Sequence, residues 1–248
     1  MNRYAIADLH GRLDLFNKVK EYLNADDIVY ALGDFGDRGP WSWETLKAAL
    51  DDPQFIYLMG NHDLFLIEAI EEYYDILKNN SQYDYKRCGS ERSQPFKLLR
   101  LNNGLNTFYG WAAEPERDKY FQKLKQLPLE IRLAALDRRH MIYLTHAGYT
   151  PSILGPHTVY DLLWDRDHFY DEWYQSNENI MIHGHTPIDA LMYFLEAKDL
   201  PYDCTDGCCV YCGGSKICID MGAHDTKQTV LLNIDTLETK IFSIEEES

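Results

Sequence analysis

Ile28-Val29-Tyr30-Ala31-Leu32-Gly33-Asp34-Phe35-Gly36-Asp37-Arg38-Gly39 is the stretch on which the reading of this chain turns. Five apolar residues, β-branched and aromatic types among them, run without a polar break into a glycine and then a cluster of charge. An apolar run of that length suits a short strand buried on both faces, as in a parallel sheet covered by helices. The same grammar recurs on either side. Tyr4 to Ala7 leads into Asp8-Leu9-His10-Gly11, and Phe55 to Met59 leads into Gly60-Asn61-His62-Asp63. Between them, Leu13, Phe16, Val19 and Leu23 recur at helical spacing, and a second helix is predicted from about Trp43 to Leu50. Twenty-two residues lie between His10 and Gly33, and again between Asp37 and Gly60. Equal spacing fits two successive crossover units delivering their ends to one sheet edge. In α/β sheets the carboxyl ends of strands are where ligands bind.

Two later blocks repeat the pattern. Met141 to Leu144, with Ile131 to Leu133 as a hairpin or paired strands, leads into Thr145-His146-Ala147-Gly148, and Ile180 to Ile182 leads into His183-Gly184-His185-Thr186-Pro187. Ile217 to Asp220 and Val230 to Ile234 are strand-like. Leu66, Ile70, Tyr73 and Leu77 share a helical face, so residues 64–127 read as a mostly helical insertion, a cap beside the site, interrupted by a polar stretch from Lys78 to Ser93. The 248 residues read as a single domain, 1–248, with no repeat or low-complexity tract.

Composition bounds the function. Hydrophobic residues make up 45% and charged residues 26%, which excludes a disordered or collagen-like chain. The formal charge of −16 argues against a duplex-binding protein, since phosphate-backbone affinity comes mainly from Lys and Arg. No apolar run approaches the ~18–20 residues of a membrane span. With no apolar stretch before Asp8 that resembles a secretion signal, the expected location is cytoplasmic.

Asp8, His10, Asp34, Asn61, His146 and His185 offer mixed oxygen and nitrogen donors, which suit Mn, Fe, Zn or Ni better than Ca or Mg. A carboxylate such as Asp34 is able to bridge two cations, and two metals ~3.5–4 Å apart activate water for in-line attack on phosphorus. Taken alone, each block is an ordinary turn or cap; five such blocks at five apolar strand ends are a poor fit to chance.

These five blocks, Asp8-Leu9-His10-Gly11, Gly33 to Gly39, Gly60-Asn61-His62-Asp63, His146-Ala147-Gly148 and Gly184-His185-Thr186, resemble in order the signature of the calcineurin-like metallophosphoesterases. The Asp37-Arg38-Gly39 tail resembles the phosphoprotein phosphatase branch, the Ser/Thr protein phosphatases, and best its small bacterial and phage members; Ile219-Asp220-Met221-Gly222-Ala223 is similar to a later strand of that branch. The resemblance implies a β-sandwich flanked by helices and two divalent metal ions, Mn foremost, with Fe, Zn or Ni as alternatives. It implies Asp8 and His10 at the first metal, Asp34 bridging, and Asn61, His146 and His185 at the second, with a bridging water or hydroxide as nucleophile. His62 would donate the proton to the leaving oxygen, oriented by Asp37. Arg38 would grip phosphate oxygens with its planar fork, and Asn61 would also donate to the phosphate. Asp161-Leu162-Leu163-Trp164-Asp165-Arg166 is similar to a Leu-Trp-x-Arg stretch of the bacterial members, making Arg166 a second clamp; the alternative is a surface arginine after a core tryptophan. Gly36 departs from the family pattern, which usually has a larger apolar residue there, and Ala7 and Asp63 replace the usual Gly and Glu.

The implied activity is hydrolysis of phosphate monoesters in proteins, on phosphoserine, phosphothreonine and also phosphotyrosine, or, alternatively, symmetric cleavage of bis(5'-nucleosyl) tetraphosphates. Partners are thus a phosphorylated protein or small phosphoester, with no nucleic acid and no membrane. Tyr73, Tyr74, Tyr83, Tyr85, Phe108, Tyr109 and Trp111 would stack a base in the second case; packing is the plainer reading. A scaffold that has lost catalysis should lack a ligand, and none is missing. A nuclease fits poorly with the acidity and with Asp37-Arg38-Gly39. His140, His157, His168 and His224 read as ordinary histidines, and His183 as a neighbour of the ligand His185.

Cys204, Cys208, Cys209, Cys212 and Cys218 crowd one segment, with Cys88 isolated. Residues 199–218 read as a Cys-rich loop insertion. Its thiols are expected to be reduced or to hold a structural Zn, whose ligands come in such close pairs, in preference to a disulfide.

Overall fold

The computed structural model describes residues 1–79, 94–136, 140–150, 157–170 and 179–245. Two mixed sheets lie face to face. The first has the order β11-β10-β1-β2-β3, built from β1 (Arg3–Ile6), β2 (Ile28–Ala31), β3 (Phe55–Tyr57), β10 (Gln228–Asn233) and β11 (Thr239–Ser243). β1, β2 and β3 run parallel, with Ile6 opposite Ala31 and Ala31 opposite Tyr57. The second sheet has the order β4-β5-β6-β9-β8-β7, from β4 (Glu130–Ala134), β5 (Met141–Thr145), β6 (Ile180–His183), β7 (Tyr202–Thr205), β8 (Cys208–Tyr211) and β9 (Lys216–Cys218). β4 and β5 pair antiparallel, as expected, and β5, β6 and β9 are parallel.

Alternation along the strands sorts the core into layers. Ala5, Ala7, Tyr30 and Leu32 face Ile142, Leu144, Ile182 and Ile217 between the sheets. The opposite faces of β1 to β3, with Tyr4, Ile6, Val29 and Phe55, pack under α1 (Leu13–Tyr22), α2 (Ser42–Asp51), α3 (Asn61–Asn79), α4 (Gln94–Leu101), α5 (Leu105–Ala113) and α6 (Arg117–Lys125). α1 buries Leu15, Phe16 and Val19, and α2 buries Trp43, Leu46 and Ala49, the spacing of one helical face. The described helices α3 to α6 are thus continuous with the core of the first sheet. α7 (Val159–Trp164) begins with a Thr158/Asp161 capping box, and α8 (Ile188–Glu196) covers the outer face of the second sheet. No described helix is long and apolar enough to cross a membrane.

The Cys-rich segment differs from the loop expected of it. β7, β8 and β9 are adjacent antiparallel strands, with Cys204 opposite Cys209 and Cys209 opposite Cys218. Adjacent strand residues point to opposite faces, so Cys208 packs between the sheets while Cys209 packs under α8. Cys204 and Cys209 are joined in a disulfide. The structural-zinc expectation for Cys204, Cys208, Cys209, Cys212 and Cys218 is therefore corrected: one pair is bonded, Cys208 faces away, and no ligand cluster among the described residues includes a cysteine. Cys88 lies outside the described residues.

Candidate metal centre and active site

The parallel strands β1, β2, β3, β5 and β6 all end at one edge of the sandwich, and each delivers one polar block. Backbone bonds lock the first two loops together: Asp8 N donates to Gly33 O, His10 N to Asp34 O and Gly11 N to Phe35 O. Gly184 N donates to His146 O, joining the last two. Asp8, His10, Asp34, Asp37, Arg38 and His185 all have φ between 43° and 65°. Side-chain-bearing residues seldom adopt that left-handed region, and its concentration here marks loops held against their preference to aim side chains inward.

Asp34 stands at the centre. Its Oδ2 lies 3.4 Å from His146 Nε2 and 4.0 Å from His62 Nε2. Donor atoms of His10, Asp34 and His62 converge within 4.8 Å, as do those of Asp34, His146 and His185. Asp34 alone belongs to both groups. Asn61 Oδ1 sits between two imidazoles, 2.9 Å from His146 Nε2 and 3.0 Å from His185 Nδ1. Asp8 is buried at the same edge, its Oδ2 accepting from His185 N at 2.9 Å. His10 Nδ1 donates to Gly36 O and His146 Nδ1 to Leu32 O, which leaves each Nε2 to face the cluster. Gly60 is required by the approach of this carboxylate, since a Cβ there would collide with Asp34 Oδ1.

The electrostatics fit bound cations. Burial, then the charge of Asp220, pushes Asp8 well above the usual carboxylate range. Burial likewise raises Asp220 to about 6 and, with Asp34 beside it, Asp63 to about 7. Burial lowers His10 and His185, whereas at His146 the Asp34 charge overcomes burial and raises the imidazole to about 10. In the metal-free protein a proton on His146 therefore stands where positive charge is wanted. His185 Nε2 is buried with no hydrogen-bond partner. Crowded buried carboxylates and an orphaned imidazole nitrogen, in a set of imidazole, carboxylate and amide donors, suit divalent transition metals.

The implied acid is beside the cluster. His62 Nδ1 donates to Asp37 Oδ2 at 2.7 Å, its backbone N donates to Asp34 Oδ1, and Arg38 Nη2 lies 3.2 Å from His62 Nε2. Burial lowers His62, but the charges of Asp34 and Asp37 outweigh it and leave the imidazole raised. Arg166 Nε donates to Thr186 Oγ1, next to His185, so this arginine stands at the rim of the cluster. His62 also begins a series of rings: Phe65 at 5.9 Å, Trp164 5.8 Å from Phe65, and Tyr160 stacked on Trp164.

His183 accepts from Tyr211 OH, donates to Gly184 O, and is driven by burial to about 3, a neutral core histidine. Tyr73, Phe108 and Trp111 are buried in the helical core, which fits the packing reading; Tyr83 and Tyr85 lie outside the described residues. Three residues without an assigned role emerge. Asp63 accepts from Gly60 N, Asp34 N and Tyr57 OH, bracing the loops that carry Asp34 and Asn61. Asp220 faces Asp8 electrostatically, and Thr107 touches Asp37. Asp63 and Asp220 fall inside quoted motifs and were open to detection there; Thr107 had no local signal.

The chain is 30% identical over 158 residues to a symmetrical bis(5'-nucleosyl)-tetraphosphatase of Paracidovorax citrulli, an alignment covering 61% of this chain and 46% of that protein. It is 25% identical over 173 residues to serine/threonine-protein phosphatase 2 of Salmonella typhimurium, covering 66% and 67%. The chain spans about half the length of the first of these relatives. Among solved structures, a protein serine/threonine phosphatase from Saccharomyces cerevisiae superposes with a TM-score of 0.52 at 14% identity, covering 100% of this chain and 81% of that one. A metallophosphoesterase from Sphaerobacter thermophilus gives 0.53 at 16%, covering 99% and 88%; both likenesses are of fold. The family model for calcineurin-like phosphoesterases matches residues 1–220, and the chain belongs to that family.

Proposed function

We propose that this protein is a two-cation phosphomonoesterase that removes phosphate from serine and threonine side chains of proteins, with phosphotyrosine also accepted. The reading rests on two guanidinium groups, Arg38 beside His62 and Arg166 beside His185, brought to one cluster from separate elements. A terminal phosphoryl dianion concentrates more charge on one phosphorus than an internal phosphate of a polyphosphate chain, and planar forks on two sides suit it.

Asp8, His10 and Asp34 would hold one cation, and Asp34, Asn61, His146 and His185 the other, Mn being first choice for this donor set. When bound, the pair supplies Lewis-acid polarisation of the phosphoryl group and an acidified water. Arg38 and Arg166 orient the non-bridging oxygens, and the Asn61 amide adds a donor. His62 delivers a proton to the departing alkoxide, with Asp37 holding the imidazole and compensating its charge.

A second reading, cleavage of bis(5'-nucleosyl) tetraphosphates, is favoured by the ring series Phe65, Trp164 and Tyr160 leading outward from His62, with Tyr160 67% exposed and open to stacking on a base. The Mn-loaded protein should be assayed on a phosphoserine/phosphothreonine peptide and on diadenosine tetraphosphate, with p-nitrophenyl phosphate as control. Higher kcat/KM on the peptide is expected; the reverse order would transfer the assignment to the nucleotide, and turnover of neither would overturn both.

A further inference from the structure

The turn between α4 and α5 and the first turn of α5 reach the active site. Asn103 O, in the turn between α4 and α5, accepts from Arg38 N at 3.2 Å. One helical turn on, Thr107 Oγ1 accepts from Asp37 N at 2.9 Å and donates to Asp37 Oδ1. The other oxygen of that carboxylate, Oδ2, accepts from His62 Nδ1 at 2.7 Å. Asp37 and Thr107 are each 1% exposed. The three side chains form a continuous series from α5 to the implied proton donor, with one oxygen of Asp37 committed to each neighbour.

Two glycines make room for it. A Cβ on Gly36 would lie 3.0 Å from Thr107 Cγ2, and a Cβ on Gly104 would lie 2.6 Å from Asp37 Oδ2. Gly36 is one of the three positions at which the sequence departs from the family pattern. Any side chain at Gly36 would press on the Thr107 methyl, so the glycine leaves room for the threonine. Asp37 itself has a φ of 63°, a strained conformation for a residue with a side chain. A hydroxyl that pairs with both its backbone N–H and its carboxylate fixes the backbone and the side-chain rotation at once.

We propose that Thr107 is a positioning residue for proton transfer: it sets the rotation of the Asp37 carboxylate, which in turn aims His62 Nε2 at the leaving oxygen. This rests on the reading of His62 as proton donor. The proton passes from His62 to the alkoxide as the phosphorus–oxygen bond breaks, and Thr107 itself neither gains nor loses one.

The test compares Thr107→Val, which keeps the shape and removes the hydroxyl, with Thr107→Ser, which restores it. On a phosphoserine peptide, whose alkoxide needs the proton, Thr107→Val should lower kcat by roughly 10- to 100-fold, the worth of a hydrogen bond to a charged group. On p-nitrophenyl phosphate, whose leaving group needs none, the loss should be under about 3-fold, and Thr107→Ser should recover most of the peptide rate. A second readout needs neither metal nor turnover: the His62 Nδ1 proton resonance of the metal-free protein should move in Thr107→Val and return in Thr107→Ser. Equal losses on both esters, no loss on either, or an unmoved resonance would overturn the proposal. Should Thr107→Val fail to fold, Gly36→Ala presses on the same methyl and should give the same ester-dependent loss. His62→Asn, run in parallel, separates the two claims: if its loss is the same on both esters, the proton-donor reading fails, while the resonance shift still reports whether Thr107 positions the pair.

Discussion

Replacing Asp34 by Asn leaves the side chain's shape and removes its charge from the one group shared by both donor sets. Asp34 Oδ2 lies 3.4 Å from His146 Nε2 and 4.0 Å from His62 Nε2, so positive charge held on either side falls within about one ligand shell of it. A unit charge pair at ~4 Å is worth about 4 kcal/mol at an effective dielectric of about 20. That corresponds to roughly a thousandfold in affinity for each unit of cation charge. Asp34→Asn should therefore abolish turnover and reduce bound Mn from two ions per chain to one or none at micromolar concentration, measured by elemental analysis after equilibrium dialysis. The metal-free protein gives an independent reading. The Asp34 charge is what lifts His146 to about 10 against its burial. Without that charge burial should win, and His146 should be neutral at pH 7 in the variant and cationic in the parent, as read by NMR of the imidazole. Full metal stoichiometry with unchanged turnover, or a His146 indifferent to the substitution, would refute the shared-carboxylate reasoning.

Other expectations follow from the same geometry. Arg166→Ala should raise KM for phosphoesters by roughly 10- to 100-fold, the worth of hydrogen bonds to a charged phosphoryl group, and leave metal content alone; an unchanged KM would return Arg166 to the surface. Gly60→Ala should cost metal binding as severely as Asp34→Asn, because the new methyl occupies the place of Asp34 Oδ1; retained two-metal loading would show that the loop yields. His183 titrates at about 3 when folded, below the usual imidazole value, so the unfolded chain takes up a proton that the folded protein refuses. Its contribution to stability is thus present above the unfolded value of 6.5 and lost as pH falls from there towards 3, by about 1.4 kcal/mol per pH unit. Urea unfolding of the metal-free parent and of His183→Gln at pH 6.5 and 4.5 should show that difference in slope, and parallel slopes would contradict it.

The strand ends were legible because two constraints coincide in them. Strands buried on both faces are written as unbroken apolar runs, and the loops after them need donor residues of particular chemistry, so Ile6, Ala31 and Tyr57 mark the ends of β1 to β3 close to Asp8, Asp34 and Asn61. Periodicity gave the helices of residues 64–127, though not that they share the core of the first sheet. The cysteine segment reads as a loop if composition is weighed above turn chemistry. Asp206-Gly207, both at positive φ, is a strong two-residue hairpin signal, and it joins β7 to β8. Cys204 and Cys209 then face each other across the ladder, a proximity that depends on register and not on the spacing of thiols. Thr107 was illegible for a deeper reason. It lies 70 residues from Asp37 in sequence, on a helix face where a threonine is unremarkable, and only the fold brings the two together.

The central claim is that one carboxylate, Asp34, joins two cation sites at the shared edge of the sandwich. Crystals of the Mn-loaded protein, measured at a wavelength near the Mn absorption edge, test it most directly. Two anomalous peaks should flank Asp34, one beside Asp8 and His10 and the other beside Asn61, His146 and His185. A single peak, or two peaks clear of Asp34, would contradict it.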